Sequence, residues 1–480
     1  MIPRTIPLFG LLLTGFFIVL WSPAQAGLLN IQEVKSAGGL TAWLVEDHSI
    51  PVLSMDFGFK GAGSAQDPQD RQGLARMASN TMDEGAGDLD SQAFQGELQN
   101  RVIALQFGAT RDHFTGSLKT LTKNKDRAFA LLQMALTQPR FDSEAIRRMS
   151  AANQSRIRSS LSEPDWIAAR LQNDKAYAGH PYTMNSGGTL TSLSKISRSD
   201  LRNFHKTLLG KNNLVVAVAG DITPQELAIK LDETFGLLPA VTVPPVPDLT
   251  LQNQGKTYLY RQDIPQTVIE ILQPGIAQTD PRYHSAQVLN FVLGSSGFGS
   301  RLTEEIREKR GLTYGIYSAL NTMDHLDTLS VSSSTANANV APLLSLIKTE
   351  FNRLKTAPVS ATEITDAKNY LVGSLPLSLT STDKISGLLL SLRLDDLPMD
   401  YLDRREKAIK ATSLEDLKTL AQTLLTPEHF VTILLGNPPE THAGPPTPAQ
   451  PAQKGKEKTP EKPQKTASGF EMIDTIPNVE

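Results

Sequence analysis

The sequence predicts an α+β fold of two homologous domains, each with a mixed or mostly antiparallel sheet and helices packed on one face. The first indication is an internal repeat, since DLRNFHKTLLGKNNLVVAVAGD from Asp200 matches DLKTLAQTLLTPEHFVTILLGN from Asp416. The second is the mixture of apolar strand patterns, such as VIEILQP, with long amphipathic helices. The third is the length of 480 residues, which exceeds that of one ordinary domain.

The first 26 residues have the pattern of a secretory signal. Arg4 supplies a positive start, residues 8–21 are apolar, and Ala24 and Ala26 offer small residues at a cleavage site. We predict cleavage after Ala26 and a periplasmic protein, with an uncleaved membrane anchor as the alternative. No second apolar run of spanning length follows, so no membrane span is expected after signal removal.

Composition narrows the classes of function. The chain has no cysteine, which suits an exported protein and excludes thiolate zinc sites and a cysteine nucleophile. The formal charge is −3, and nucleic acid is therefore not expected as a partner.

Changes in composition predict the domain boundaries. Four prolines in residues 239–256 indicate an extended linker between an N-terminal domain, residues 27–238, and a C-terminal domain, residues 257–437. Residues 438–480 are rich in Pro, Lys, Glu and Gln, and we predict a disordered tail there. The apolar end of this tail, FEMIDTIP, leaves docking as a short peptide as an alternative.

The first helix predicted after a strand is chemically unusual. The strand pattern PVLSMDFGF precedes GLARMASNTMDEG, in which Leu74, Met77, Ala78 and Met82 recur at helical spacing and predict a core-facing side. The polar positions of its early turns hold residues that are neither good metal ligands nor general bases: Arg76, Ser79 and Asn80.

Two longer stretches carry a family resemblance. HPYTMNSGGTLTSLSKISRSDLRNFHKTLLGKNNLVVAVAGDI and, in the second half, GFGSRLTEEIREKRGLTYGIYSAL are similar to the insulinase/pitrilysin family of zinc peptidases. The resemblance is strongest to the short two-domain subgroup that includes the subunits of mitochondrial processing peptidase, which work in pairs. It implies two domains that face each other like half a clamshell.

The metal motif of that family is absent. Catalytic members carry His-x-x-Glu-His, in which two imidazoles bind zinc and the Glu activates water. The resemblance places Arg76, Ser79 and Asn80 at these positions, and residues 151–157, where a third ligand is expected, read AANQSRI. No two of the eight histidines are three to five residues apart. We therefore predict no metal in this chain and zinc in a partner subunit.

The second half keeps an Arg and a Tyr at the family's spacing. EIREKRGLTY places Arg307 late on a helix and Tyr314 at the start of a strand. In the family such a pair reaches over the substrate and hydrogen-bonds peptide carbonyls, a task for which guanidinium and phenol are suitable donors. The alternative is a surface Arg and a core Tyr. We assign Gly297 and Gly299, in GSSGFGSR, to a loop along the peptide channel.

These features lead to one prediction of function and two alternatives. We predict the non-catalytic subunit of a periplasmic, heterodimeric zinc metallopeptidase, in which Arg307 and Tyr314 complete the active site of a His-x-x-Glu-His partner that cleaves peptides. No activity is expected of this chain alone. The first alternative is a scaffold, assembly or peptide-binding protein without a role in proteolysis. The second is an independent enzyme that uses other residues.

Overall fold

The computed structural model describes residues 28–296, 299–357, 359–439 and 469–480. Within these ranges the chain forms two six-stranded sheets, one in each half, and each sheet packs against helices. The predicted α+β class is thereby confirmed. The predicted signal segment, residues 1–26, and residues 440–468 of the predicted tail lie outside the described residues. No helix in the described ranges has the length and apolar character needed to cross a bilayer.

The N-terminal sheet contains the six strands Gln32–Lys35 (β1), Thr41–Glu46 (β2), Val52–Phe59 (β3), Ala104–Ala109 (β4), Phe114–Leu121 (β5) and Leu214–Gly220 (β6). The C-terminal sheet contains Thr257–Arg261 (β7), Gln266–Pro274 (β8), Thr313–Met323 (β9), Leu326–Ala336 (β10), Val431–Gly436 (β11) and Glu471–Ile473 (β12).

Helices of the first half are Leu74–Ser79 (α1), Ser91–Asn100 (α2), Lys125–Thr137 (α3), Ser143–Ser160 (α4), Pro164–Ala176 (α5), Leu190–Lys195 (α6), Arg198–Leu208 (α7) and Pro224–Phe235 (α8). Those of the second half are Tyr283–Asn290 (α9), Val340–Thr356 (α10), Ala361–Ser378 (α11), Thr382–Leu394 (α12), Tyr401–Ala411 (α13) and Leu414–Leu424 (α14). Two π-helical segments, Phe291–Ser295 and Thr303–Glu308, lie between α9 and β9.

The sequence repeat corresponds to a structural repeat. The strand orders are β1-β2-β6-β3-β5-β4 and β12-β7-β11-β8-β10-β9. In the spatial order of each sheet, the second and third strands pair in parallel: β2 with β6, and β7 with β11. Each following neighbour in that order pairs antiparallel. The helix of the repeat begins in each half with a reciprocal capping box, Ser197 with Asp200 and Ser413 with Asp416.

Each sheet is covered on its second face by a helix from the other half. On the N-terminal sheet, Trp43 and Ala217 pack against Leu389 and Leu390 of α12. On the C-terminal sheet, Ile433 and Val268 pack against side chains of α5. This exchange explains why β6 and β11 read as apolar runs, since both faces of each strand are buried.

Residues of the predicted linker run across the surface between the halves without helix or strand from 239 to 252. Backbone and side-chain hydrogen bonds hold this stretch on both sides. Gln66 donates to the carbonyl of Pro244 at 2.8 Å, and the N–H of Leu249 donates to the carbonyl of His325 at 2.8 Å.

The prediction of a disordered tail is wrong for residues 469–480. Strand β12 pairs in parallel with β7, and Lys256 forms a 3.0 Å salt bridge with Glu471. The side chain of Ile473 is buried. The physical reason is that the edge of β7 offers unpaired backbone groups, which a short apolar segment such as FEMI can satisfy.

Candidate functional site

The helix at the expected metal position begins at a fixed point. Gly73 has φ of 86°, and a Cβ there would lie 2.7 Å from the Cα of Gly188, so only glycine fits. The carboxylate of Asp67 accepts the N–H groups of Gly73 at 2.8 Å and of Ala75 at 3.0 Å. Burial raises the pKa of Asp67 to about 7 despite these hydrogen bonds. The start of helix α1 is thus fixed by the backbone of Gly188 on one side and by the carboxyl group of Asp67 on the other.

The apolar side of this helix is part of the core, as predicted. Leu74, Met77 and Ala78 are buried in the N-terminal core, together with Met82 just beyond the helix. The helix therefore has a structural role that does not depend on a metal.

Asn80 meets its partner from α4 at the position where the family resemblance places the metal. Its Nδ2 donates to Oδ1 of Asn153 at 3.0 Å, and Asn153 is 4% exposed. Asn153 lies within residues 151–157, where the family resemblance places the third ligand. The sequence indicated the absence of a carboxylate there, but only the fold identifies Asn153 as the residue that contacts Asn80.

The remaining two positions are also unsuited to zinc chemistry. The hydroxyl of Ser79 donates to the carbonyl of Arg76 at 2.9 Å, and Ser79 is 2% exposed, so it is engaged within the helix. Arg76 lines a cavity of about 260 Å³ beside the Asn80–Asn153 pair. An Arg cation, a backbone-bonded Ser and a neutral amide pair do not fit a zinc ion, which takes imidazole, thiolate and carboxylate ligands. Among the described residues no group of three His, Asp or Glu side chains is arranged to hold a metal ion.

Arg307 and Tyr314 come together at a different cavity. Both residues line a space of about 530 Å³ at the end of β9, the edge strand of the C-terminal sheet. Tyr314 is 86% exposed, which excludes the alternative of a core tyrosine. The Nε of Arg307 lies 3.7 Å from a carboxylate oxygen of Glu308. This cavity shares no lining residue with the one beside Arg76.

Of the two glycines that we assign to a channel loop, the structure describes only Gly299. Gly297 lies outside the described residues. Gly299 has φ of 89°, and a Cβ at this position would have no atom within 4 Å. Its role in a channel therefore stays a prediction, while its backbone conformation is one that favours glycine.

The end of the chain reaches the start of α1. The side chain of Asn478 donates to the carbonyl of Thr183 at 3.0 Å, and its Oδ1 accepts from Gln72 at 3.3 Å. The N–H of Leu190 donates to the carbonyl of Val479 at 3.0 Å. These contacts were not predicted from the sequence. The only indication of them in the sequence was the return of apolar residues after the Pro- and Lys-rich stretch.

Two family models match the chain in succession. Residues 59–188 match the model described as Insulinase (Peptidase family M16), and residues 195–371 match the model described as Peptidase M16 inactive domain. The second match begins near α7 in the N-terminal half and ends within α11.

Relatives and solved structures agree with these matches. The chain is 27% identical over 371 residues to the non-peptidase homolog YmxG of Helicobacter pylori (strain ATCC 700392 / 26695). The aligned region covers 76% of this chain and 83% of the relative. The structure of a peptidase M16 inactive domain from Pseudomonas fluorescens is 26% identical, has a TM-score of 0.80, and covers 87% of this chain and all of that chain. A protease from Helicobacter pylori, at 16% identity, shares the fold with a TM-score of 0.77 over 85% of this chain and 99% of that chain.

Proposed function

Because the chain belongs to the M16, or insulinase, peptidase family and is a non-peptidase homologue within it, we propose that it is the non-catalytic subunit of a heterodimeric zinc metallopeptidase. The observation that carries the proposal is the contrast between its two cavities. The position of the metal motif is filled by neutral or cationic side chains, whereas Arg307 and Tyr314 remain together at an open cavity.

Exposure of Tyr314 supports a role at an interface. Tyrosine combines a large apolar ring with a hydroxyl donor, and it is enriched where proteins bind partners. Tyr314 stands on an edge strand, and Tyr317 on the same strand is 57% exposed. Two exposed tyrosines on an edge strand, one of which lines an open cavity, suit a surface that is covered by a partner and its peptide substrate.

The division of chemistry between the two subunits follows from the residues. The catalytic partner would supply the zinc ion and the glutamate base of its His-x-x-Glu-His motif. Arg307 and Tyr314 would donate hydrogen bonds to carbonyl oxygens of the peptide and to the negative charge that develops on the scissile carbonyl. The location we propose for the heterodimer is the periplasm, in keeping with the signal pattern of residues 1–26.

Co-purification from the native host tests this proposal. An affinity tag on this chain is expected to retain an M16 subunit that carries His-x-x-Glu-His, and the complex is expected to contain zinc and to cleave peptides. The separately purified chain is expected to contain no zinc and to have no peptidase activity. Zinc and peptidase activity in the chain alone would contradict the proposal. A stable partner without the metal motif would favour the alternative of a scaffold or assembly protein and would contradict it too.

A further inference from the structure

The cavity beside the Asn80–Asn153 pair is lined by three arginines from three helices. Arg76 comes from α1, Arg156 from α4 and Arg170 from α5. Trp166 and Asn185 also line it, and none of its lining residues is an Asp or Glu. The arrangement concentrates positive charge where the peptidases of the family concentrate ligands for a cation.

Part of the Arg170 guanidinium in this cavity lacks a hydrogen-bond partner among the described residues. Nε and Nη1 of Arg170 are buried, and neither has a hydrogen-bond partner among the described residues. The guanidinium of Arg170 lies 5.7 Å from the centre of the Trp166 ring, which contacts its face and leaves its donors free. A buried donor without a partner destabilises a protein, and more so when it is charged.

No carboxylate among the described residues pairs with the three arginines. In the described part of the chain no salt bridge is formed by Arg76, Arg156 or Arg170. Burial, and then repulsion from Arg111, lowers the pKa of Arg170 to about 10. Burial and repulsion from Arg156 likewise lower the pKa of Arg76. Arginine side chains are cationic at neutral pH, so the cavity is positively charged and suits an anion.

We propose that this cavity is a binding site for an oxyanion, a phosphate or a carboxylate, held by Arg76, Arg156 and Arg170. The planar guanidinium fork donates two parallel hydrogen bonds to such groups, which is why arginine is preferred for their recognition. The volume of about 260 Å³ admits one small charged group rather than a folded segment. The inference concerns the former metal position and does not depend on the role of Arg307 and Tyr314.

The chain offers a matched pair of variants for a test. Arg156 and Arg158 both lie on α4 and are both exposed, but only Arg156 lines the cavity. Arg158 hydrogen-bonds Gln154 at 3.3 Å instead. R156Q and R158Q therefore remove the same charge from the same helix, and R170Q removes the buried donors.

Binding is measured on the full chain at constant ionic strength by calorimetric titration and by the shift in Tm. The probes are inorganic phosphate, a short peptide rich in glutamate, and the same peptide with glutamine in place of glutamate. We expect saturable binding of phosphate or of the glutamate peptide, and at least tenfold weaker binding to R156Q and to R170Q. R158Q should bind as the wild type does, and the glutamine peptide should not bind.

The arms of the experiment separate the sources of the anion. Binding of phosphate alone identifies a free oxyanion, and binding of the glutamate peptide alone identifies a carboxylate on a polypeptide. Absence of saturable binding by both probes to the folded wild type would overturn the inference. Equal affinity of R156Q and R158Q would overturn it as well, and this comparison remains valid if R170Q fails to fold.

Discussion

The Nδ2 of Asn80 lies 3.0 Å from the Oδ1 of Asn153, in a partly buried hydrogen bond that joins the C-terminal end of α1 to α4. The His-x-x-Glu-His alignment assigns one metal ligand to Asn80, and the stretch expected to supply another contains Asn153. At the position where the resemblance places a metal, the facing groups of the two helices are neutral amides joined by a direct hydrogen bond.

This pair is expected to stabilise the N-terminal half. Asn80→Ala leaves the buried amide of Asn153 without this partner, and Asn153→Ala leaves the half-buried amide of Asn80 without it. Either change should lower the free energy of unfolding by about 1–3 kcal/mol. The double variant should lose less than the sum of the two single changes, because the partners act together. Urea denaturation measures these changes, with the exposed Asn100→Ala as the control. Additive losses would show that the two amides are not coupled.

The exchange of α5 and α12 should make the two halves unfold as one. Arg393 of α12 donates to the carbonyls of Val216 at 2.6 Å and Thr41 at 3.0 Å, across the boundary between halves. Arg393→Ala removes these charged donors and should cost about 2–3 kcal/mol.

Scanning calorimetry should show one transition for the wild type and one transition at lower Tm for Arg393→Ala. The exposed Arg404→Ala on α13 is the control and should change stability by at most about 0.5 kcal/mol, since its 2.7 Å pair with Asp400 lies in solvent. Two separate transitions in the wild type would contradict the coupling.

Removal of the last residues should expose the edge of the C-terminal sheet. Deletion of residues 469–480 leaves β7 without β12 and removes the contacts of Asn478 with Gln72 and Thr183. We expect a lower Tm and increased self-association, because an unpaired edge strand is a site for pairing between chains. Light scattering and thermal denaturation measure both effects.

Asn478→Ala is the control for the strand itself, since it removes the side-chain hydrogen bonds and keeps β12. It should lower the Tm less than the deletion and should not promote self-association. A deletion variant with the Tm and mass of the wild type would show that the docked tail contributes nothing to stability.

Stability should decrease as the pH rises through neutrality. Burial raises the pKa of Glu270 to about 7, although a 2.9 Å hydrogen bond from Ser332 opposes this. The folded-state pKa therefore lies above the unfolded value of about 4.3. The contribution of Glu270 is complete below that unfolded value and is lost as the pH rises through 7. Asp67, whose pKa is also raised to about 7, acts in the same direction.

Glu270→Gln should reduce the fall in Tm between pH 6 and 8 without abolishing it, because Asp67 still titrates. The exposed Glu144→Gln should retain the pH dependence of the wild type. An identical pH dependence in Glu270→Gln would show that this carboxyl is ionised in the folded protein throughout the range.

The sequence predicted the repeated parts of the fold but not the contacts between them. Leu201 and Leu417 occupy matching positions in the repeat and depend on local spacing, so they were visible in the sequence. The exchange of α5 and α12 was not visible, because an apolar helix face does not indicate which sheet it will cover. Strand β12 is only three residues long, too short for a periodic signal.

For the candidate site, too, the sequence predicted the residues at single positions but not the contacts between helices. The loss of the metal motif at Arg76, Ser79 and Asn80 follows from residue types at known positions. The roles of Asn153 and of the arginines on α4 and α5 depend on distances between helices that are far apart in sequence, and spacing along the chain does not contain them.

The most direct test of the proposed function is the kcat/KM of the reconstituted heterodimer with Arg307→Ala in this chain. We expect unchanged folding and assembly and a loss of about 3–4 kcal/mol in transition-state stabilisation, on the order of a hundredfold or more in kcat/KM. Tyr314→Phe should act in the same direction. The neighbouring Arg310→Ala should leave kcat/KM nearly unchanged, although it loses a 2.8 Å pair with the Glu305 carboxylate and a 2.5 Å hydrogen bond to the Glu305 carbonyl. Arg76→Ala should also leave kcat/KM nearly unchanged. An unchanged kcat/KM in Arg307→Ala, together with its loss in Arg76→Ala, would contradict the account.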